Sequence, residues 1–526
     1  MRVALTEVVA GAALVEYPDA SEGAASDAAI ALHDALSEGR LRGFLDGVPG
    51  ARTLLLLFDP RLRTLEQLAR DVSATAARPG TPARERRLLT IPVSYGGVHG
   101  PDLTQLAARL GTSEEDILRR HSDVEYTVAF IGFAPGFPYL RGLPESLHAP
   151  RLASPRVRVA AGSVGIGGSY TGIYPEETPG GWQLIGRAPV RLFDPEAIPP
   201  ALLRPGDAVR FSPIDAAELS RRENALRTPP QRSPPPGEPL FRVLAPGLWS
   251  SVQGAPRLGL GSSGVPPGGA MDLAALAAGN RIVDNGPALA ALEMTLLGPE
   301  LEALADCAVA LSGSPIAADL GGTPLAAGEV CAVHRGDRIR LGPMREGARS
   351  YLCVGGGLGT AHAGWSSHRL AGGDVLYRGE AEVASARTFP SPDGAPGKPG
   401  TLRVLLDRQA DLFTDEALEK LVRAPYRVSP SSDRRGLRLQ GEALARRGAQ
   451  ELPPEGTALG AIQVPPDGMP ILLGPDRPIT GGYPKIGTVL PEDWPVAAQA
   501  APGASLRFEV VGRARTLSAE GRRRGG

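Results

Sequence analysis

The chain has 526 residues, a formal net charge of −1 and 42% hydrophobic residues, and that length exceeds what one hydrophobic core usually organises, so several domains are expected. The near-zero charge excludes an overall basic field for nucleic acid or an anionic membrane, and no apolar run approaches the ~20 residues that span a bilayer. Cys307, Cys331 and Cys353 form an odd, widely spaced set without a CxxC pair, so they read as small buried hydrophobes and not as a disulfide framework or metal site.

Glu7 interrupts the first apolar run and no charged leader precedes it, which reads as a cytoplasmic protein without a secretory signal. Residues 1–88 read as a small α/β unit. Thr64 and Gln67 form a capping box, Leu65, Leu68 and Val72 make one stripe, Leu32 and Leu36 belong to an earlier helix, and TLLLLF at 53–58 is a buried strand. From 89 to 225 the pattern turns to β. LLTIPVSY at 88–95 alternates, and the GGVHGPDL run leads into a helix with Asp102 as N-cap and Gly111 as its stop. The following helix, capped by Ser113, ends on His121, which a helix dipole would favour whatever its function. His99, in a Gly-rich loop, is the better candidate for acid–base work or anion contact.

Residues 130–193 hold FIGFAPGFPYL and GSVGIGGSYTGIYPEETPGGWQLIGR, too rich in Gly, Pro and aromatics for an ordinary helix or strand. Either these are tight turns between strands with the aromatics as core, or they are shaped loops over an aromatic pocket floor that includes Tyr174. The phrase LRPGDAVRFSPI at 203–214 returns as HRGDRIRLGPM at 334–344 and APGASLRFEVV at 501–511, which suggests three lobes closing in the same way. Pro-rich runs mark linkers at 226–240 and 386–400, separating a β-rich lobe at 241–385 from another at 401–515, with an Arg/Gly tail at 516–526.

In the second half, Asp272 is a natural N-cap for a helix carrying Leu276 and Asn280. Glu293 lies in an apolar run, where a carboxylate must be paired, protonated or near a site. Lys485 is one of three lysines in a chain that otherwise uses Arg, and it sits in TGGYPKIG, where it reads either as a solvated loop lysine or as a point charge for an anion. Asp433 and Arg434 are either a loop ion pair or a pair that orients a small amide.

The elements GFxPGFxYL at 132–140, PR at 155–156, GSVGI at 162–166 and YPxxxPGGW at 174–182 resemble the B subunit of 5-oxoprolinase, also called allophanate hydrolase subunit 1 or the sporulation-kinase inhibitor family. The YGGExGPDL segment of that family is matched with Val98 where Glu is usual and His99 at the variable position. GLWSSVQ at 247–253, GVPPGGAMD at 264–272, the NRIV run with Asn280, LEMTLLG with Glu293, SPSSDRRGLRL at 429–439 and the stretch 460–487 resemble the C subunit of 5-oxoprolinase, or allophanate hydrolase subunit 2. The chain departs from that pattern in three places. QGAPR at 253–257 replaces QDxGR, the loop at 357–374 is shorter than a GSRST-type loop, and DRPITGGY at 476–483 replaces DRQTTGGY.

By resemblance the fold is mainly β with α+β parts: two cyclophilin-like β-barrel halves, a small N-terminal α/β domain and a C-terminal β-rich lobe, in the manner of the carboxyltransferase domain of urea carboxylase. The implied activity is that of a fused B–C component of an ATP-dependent 5-oxoprolinase, opening 5-oxo-L-proline to L-glutamate with a separate A subunit. Lys485, His99 and Glu293 are then the catalytic candidates, and Asn280, Asp433, Arg434, Tyr483, Gln463 and Tyr174 the substrate-binding ones. ATP, with or without Mg, is the expected cofactor, although no Walker-type loop occurs. No lysine stands in a biotin-carrier context, so carboxybiotin would arrive on another protein. The alternatives are a carboxyltransferase acting on urea or a related amide, and a regulatory protein that binds a histidine kinase. The expected partners are the A-like subunit and a small amide or lactam, with neither nucleic acid nor membrane; a homo-oligomer is left open.

Overall fold

The structure, a computed structural model, describes residues 2–39, 41–76, 85–226, 237–359, 369–379, 398–448 and 452–518. Most of both expected linkers, the centre of the 357–374 loop and the tail beyond 518 lie outside the described residues.

The first unit is an antiparallel sheet in the order Phe44–Pro49, Thr53–Phe58, Ala12–Glu16, Ala4–Val9, Thr516–Ser518. The helices Glu22–Glu38 and Leu65–Ala76 cover one face, burying Leu32, Leu36, Leu68 and Val72 against Leu54 and Leu56. Because side chains alternate along a strand, Leu55, Leu57, Leu14 and Val48 point the other way, onto Ala458 and Ile479 of the second half. A strand covered on both faces has no polar face, which accounts for TLLLLF. Thr64 and Gln67 close the capping box with bonds of 2.9 and 3.2 Å.

Thr516–Ser518, inside the segment read as a tail, is a strand paired with Ala4–Val9, with Leu517 opposite Leu5. It covers an edge that would otherwise present unpaired backbone groups.

Two closed seven-stranded barrels follow, one built from strands between Leu88 and Pro213, the other from strands between Thr401 and Arg513. Each closes by a parallel pair, Leu88–Tyr95 with Ala208–Pro213 and Thr401–Leu406 with Ser505–Arg513. Two of the three recurring phrases therefore close barrels in the same way. The third, Arg338–Met344, lies instead in an open six-stranded sheet of the middle lobe, paired with Glu300–Ala303 and Ile316–Leu320. Beside it a five-stranded sheet carries the helix Leu273–Ile282, whose Asp272 caps Ala275 N at 3.0 Å.

Some local expectations are replaced by tertiary contacts. Asp102 makes no capping bond; its carboxylate accepts Leu184 N at 2.6 Å and pairs with Arg156, tying the 96–102 loop to the barrel wall. His121 is fully buried, held by Tyr95 Oη at 2.8 Å and Thr171 Oγ1 at 2.9 Å and stacked on Phe211. Burial lowers its pKa to about 3, so it is a neutral core group and not a dipole-stabilised cation. Cys353 is buried, whereas Cys307 and Cys331 are only partly so. No described helix is long and apolar enough to cross a membrane.

Candidate functional site

In the first half, the dense glycines seat aromatic rings against backbone. Phe130, Phe137, Tyr139, Tyr170, Tyr174 and Trp182 form one buried cluster. A Cβ on Gly180 would lie 2.5 Å from Tyr174 Oη, and one on Gly167 would lie 2.6 Å from the Trp182 ring. Of the two readings of this stretch, the aromatic core is the one observed, and Tyr174 is 1% exposed within it. Phe133 packs edge-on against Phe137 and Tyr174 at the rim of this cluster, 38% exposed, at a positive φ of 67° that a bulky residue rarely adopts.

That strained residue lies on the seam between the halves. Phe133 N donates to Thr480 Oγ1 at 3.2 Å, and Gly136 N donates to Ser263 O at 3.0 Å. Three sequence phrases thus meet there: GFAPGF, the run leading into GVPPGG, and ITGGYPK. Asp46, fully buried on the N-terminal sheet, accepts Gly261 N at 3.2 Å and Gly47 N at 2.8 Å, which fixes the loop before GVPPGG. Desolvation raises its pKa, against the pull of those donors.

Beyond the seam lies a buried ion cluster centred on Arg434. Its Nη1 meets Glu293 Oε1 at 2.5 Å, its Nε meets Asp476 Oδ2 at 2.8 Å, and Nη2 donates to Gly269 O at 2.5 Å. The other oxygen of Glu293 accepts Met271 N at 2.7 Å and Tyr351 Oη at 2.8 Å. Burial opposes the charge on Arg434, but Glu293 and Asp476 outweigh it and raise the pKa above the ordinary guanidinium value. The expected Asp433–Arg434 pair does not form. Asp433 is exposed and accepts Arg435 N at 2.8 Å within its own turn, because the chain here bends outward while Arg434 points into the lobe interface.

Lys485 belongs to a second cluster. It begins the strand Lys485–Val489, is 2% exposed, and pairs with Glu455, so it is neither a solvated nor a loop lysine. Glu455 also meets Arg408, which reaches Glu16 of the N-terminal sheet at 3.3 Å. Desolvation penalises the Glu455 carboxylate, yet Lys485 and Arg408 leave its pKa lowered; Glu16 and Asp407, less well compensated, are raised by desolvation.

The structure thus brings Glu293 and Arg434 into contact, and sets Gln463 opposite Lys485 on neighbouring strands, two residues from the half-exposed Tyr483. It keeps the others apart. Asn280 donates to Leu289 O at 2.8 Å and accepts Asn285 Nδ2 at 3.0 Å, pinning its own loop. His99 is half-buried in the first barrel, with Nδ1 3.2 Å from Ser94 Oγ. Sequence reasoning missed Asp476, Tyr351, Glu455, Arg408 and Glu16. Asp476 opens the DRPITGGY phrase, but Glu455 follows two prolines and Glu16 ends an apolar strand, with nothing local to mark either.

Residues 3–203 match the carboxyltransferase domain, subdomains C and D, and residues 263–510 match its subdomains A and B. One stretch of the chain is 51% identical over 173 residues to the 5-oxoprolinase B subunit of Escherichia coli O157:H7, covering 32% of this chain and 78% of that protein. The chain belongs to the carboxyltransferase-domain family. Its similarity to the 5-oxoprolinase C subunit of Escherichia coli strain K12 is 30% over 282 residues, covering 51% of this chain and 90% of that protein. Urea amidolyase of Lachancea kluyveri is 31% identical over 311 residues, 52% of this chain but 17% of that protein. The crystal structure of TTHA0988 is similar over 95% of this chain and 99% of its own, with 33% identity and a TM-score of 0.80. This family member therefore joins B-like and C-like portions in one polypeptide.

Proposed function

We propose that this chain is the B–C component of an ATP-dependent 5-oxoprolinase, which opens 5-oxo-L-proline to L-glutamate together with a separate A subunit. The observation that carries the reading is the presence, in one chain, of similarity to most of a 5-oxoprolinase B subunit and most of a C subunit. The seam supports it, since loops of both halves interlock around Thr480. Under this reading the Arg434 and Lys485 clusters act as preorganised charge frameworks beside a small amide. His99, which has no carboxylate partner among the described residues, is the proton-moving candidate.

The clusters do not fit a triphosphate. Arg434 is engaged by Glu293 and Asp476, Arg408 by Glu16 and Glu455, and Lys485 by Glu455.

The test is ATP hydrolysis by the purified chain with and without its A subunit, in the presence of 5-oxo-L-proline, urea or neither. Stimulation by 5-oxo-L-proline only when the A subunit is present is the expected result. No stimulation by 5-oxo-L-proline would reject the reading and turn attention to carboxyl transfer onto urea.

A further inference from the structure

Arg349 is a buried cation that neither ion cluster neutralises. It opens the strand Arg349–Val354, is 5% exposed, and lies opposite Thr295, while Tyr351 lies opposite Glu293. With a two-residue period, Arg349, Tyr351 and Glu293 share one face of the sheet, the face turned to Arg434. Among the described residues its guanidinium makes a single hydrogen bond, from Nη1 to the carbonyl of its neighbour Ala348 at 3.2 Å. The buried Nε has no partner, and no described carboxylate forms an ion pair with it. The backbone around it is held firmly: Gln499 Oε1 accepts Arg349 N at 2.9 Å, and Gln499 Nε2 donates to Asp272 Oδ2 at 2.8 Å. A buried guanidinium remains charged and is strongly unfavourable without an anion. Desolvation is accordingly the main influence on this group, lowering its pKa against the pull of Glu293.

We propose that Arg349 is a substrate-anion residue whose absent partner is the carboxylate of a small amide-bearing acid. The inference rests on the 5-oxoprolinase reading, in which the substrate carries one carboxylate next to its lactam ring. The planar fork of arginine matches a carboxylate with two parallel bonds, and Arg349 shares its sheet face with Tyr351 and Glu293, which are hydrogen-bonded to each other. The nearby Glu293 charge disfavours a dianion, so a carboxylate fits this site better than a phosphate.

The experiment measures binding to the full chain in complex with its A subunit, without ATP, using 5-oxo-L-proline, pyrrolidin-2-one (the same lactam without the carboxylate) and inorganic phosphate. Arg349→Met should weaken 5-oxo-L-proline binding by about tenfold or more, leave pyrrolidin-2-one unchanged, and be partly rescued by Arg349→Lys. In ligand-free protein the same Met variant should melt at or above the wild-type temperature, because an unpaired buried charge has been removed. A merely structural arginine would give the opposite, a lower melting temperature with lactam binding unchanged or lost uniformly. Equal binding of 5-oxo-L-proline by wild type and Arg349→Met, no discrimination between the two lactams, or a loss confined to phosphate would each overturn the proposal. Wild-type complex that discriminates the two lactams through Arg349 yet shows no 5-oxo-L-proline-dependent ATP hydrolysis would keep the carboxylate site and reject the 5-oxoprolinase reading.

Discussion

Replacing Arg434 by Met removes a paired cation from two carboxylates, Glu293 and Asp476, at once. Arg434 is 4% and Glu293 1% exposed, so neither charge has water to fall back on. Glu293 would keep Met271 N and Tyr351 Oη, while Asp476, on the more open side, would lose two guanidinium contacts. Breaking a buried pair by removing one partner costs about 3–5 kcal/mol, a large share of the roughly 5–15 kcal/mol that holds a typical protein folded. A lobe of this size should then melt about 6–20 °C lower. Removing both members, in Glu293→Met with Arg434→Met, leaves no orphaned Glu293 charge, so the double variant should recover about 2 kcal/mol or more relative to the sum of the singles. Urea denaturation followed by circular dichroism gives the four stabilities. A cost for Arg434→Met below about 1 kcal/mol, or strict additivity of the two changes, would refute the view that this cluster is a coupled, desolvated unit.

Two further outcomes follow from the same geometry. His121 has an ordinary pKa of 6.5 that burial lowers to about 3, so the unfolded chain takes the proton first and stability is lost as pH falls through that window. Between pH 7 and pH 5 this amounts to about 2 kcal/mol. The raised carboxylates Glu16, Asp46, Asp272 and Asp407 act in the opposite sense, gaining as pH falls. The informative measurement is therefore the difference between wild type and His121→Asn, and parallel stability–pH curves for the two would contradict the assignment. At the seam, a Cβ on Gly132 would overlap the Thr480 side chain, with Oγ1 the nearest atom. Gly132→Ala should destabilise the protein by about 1–3 kcal/mol and be partly rescued by Thr480→Gly; full stability of the single variant would show that the halves do not meet as tightly as described.

Short-range chemistry was legible in the chain. The capping residues Thr64, Ser113 and Asp272 act as their spacing requires, because a cap is satisfied within three residues. The apolar run around Glu293 already demanded a partner for its carboxylate, and the scarcity of lysine singled out Lys485. What local pattern could not say is who the partners are. Arg434 comes from 141 residues away and Arg408 joins Glu16 to Glu455 across both halves, while Thr6 and Thr516 meet across a separation of 510 residues. Asp102 shows the same limit from the other side: its position suits a helix cap, but the barrel wall offers it Leu184 N and Arg156 instead. The sequence by itself determined the capped helices, the buried strand at 53–58, the two-part order and the need for buried charges to be compensated. Only the tertiary structure decided the pairs, because strand register and barrel closure bring together groups whose separation along the chain leaves no periodic trace.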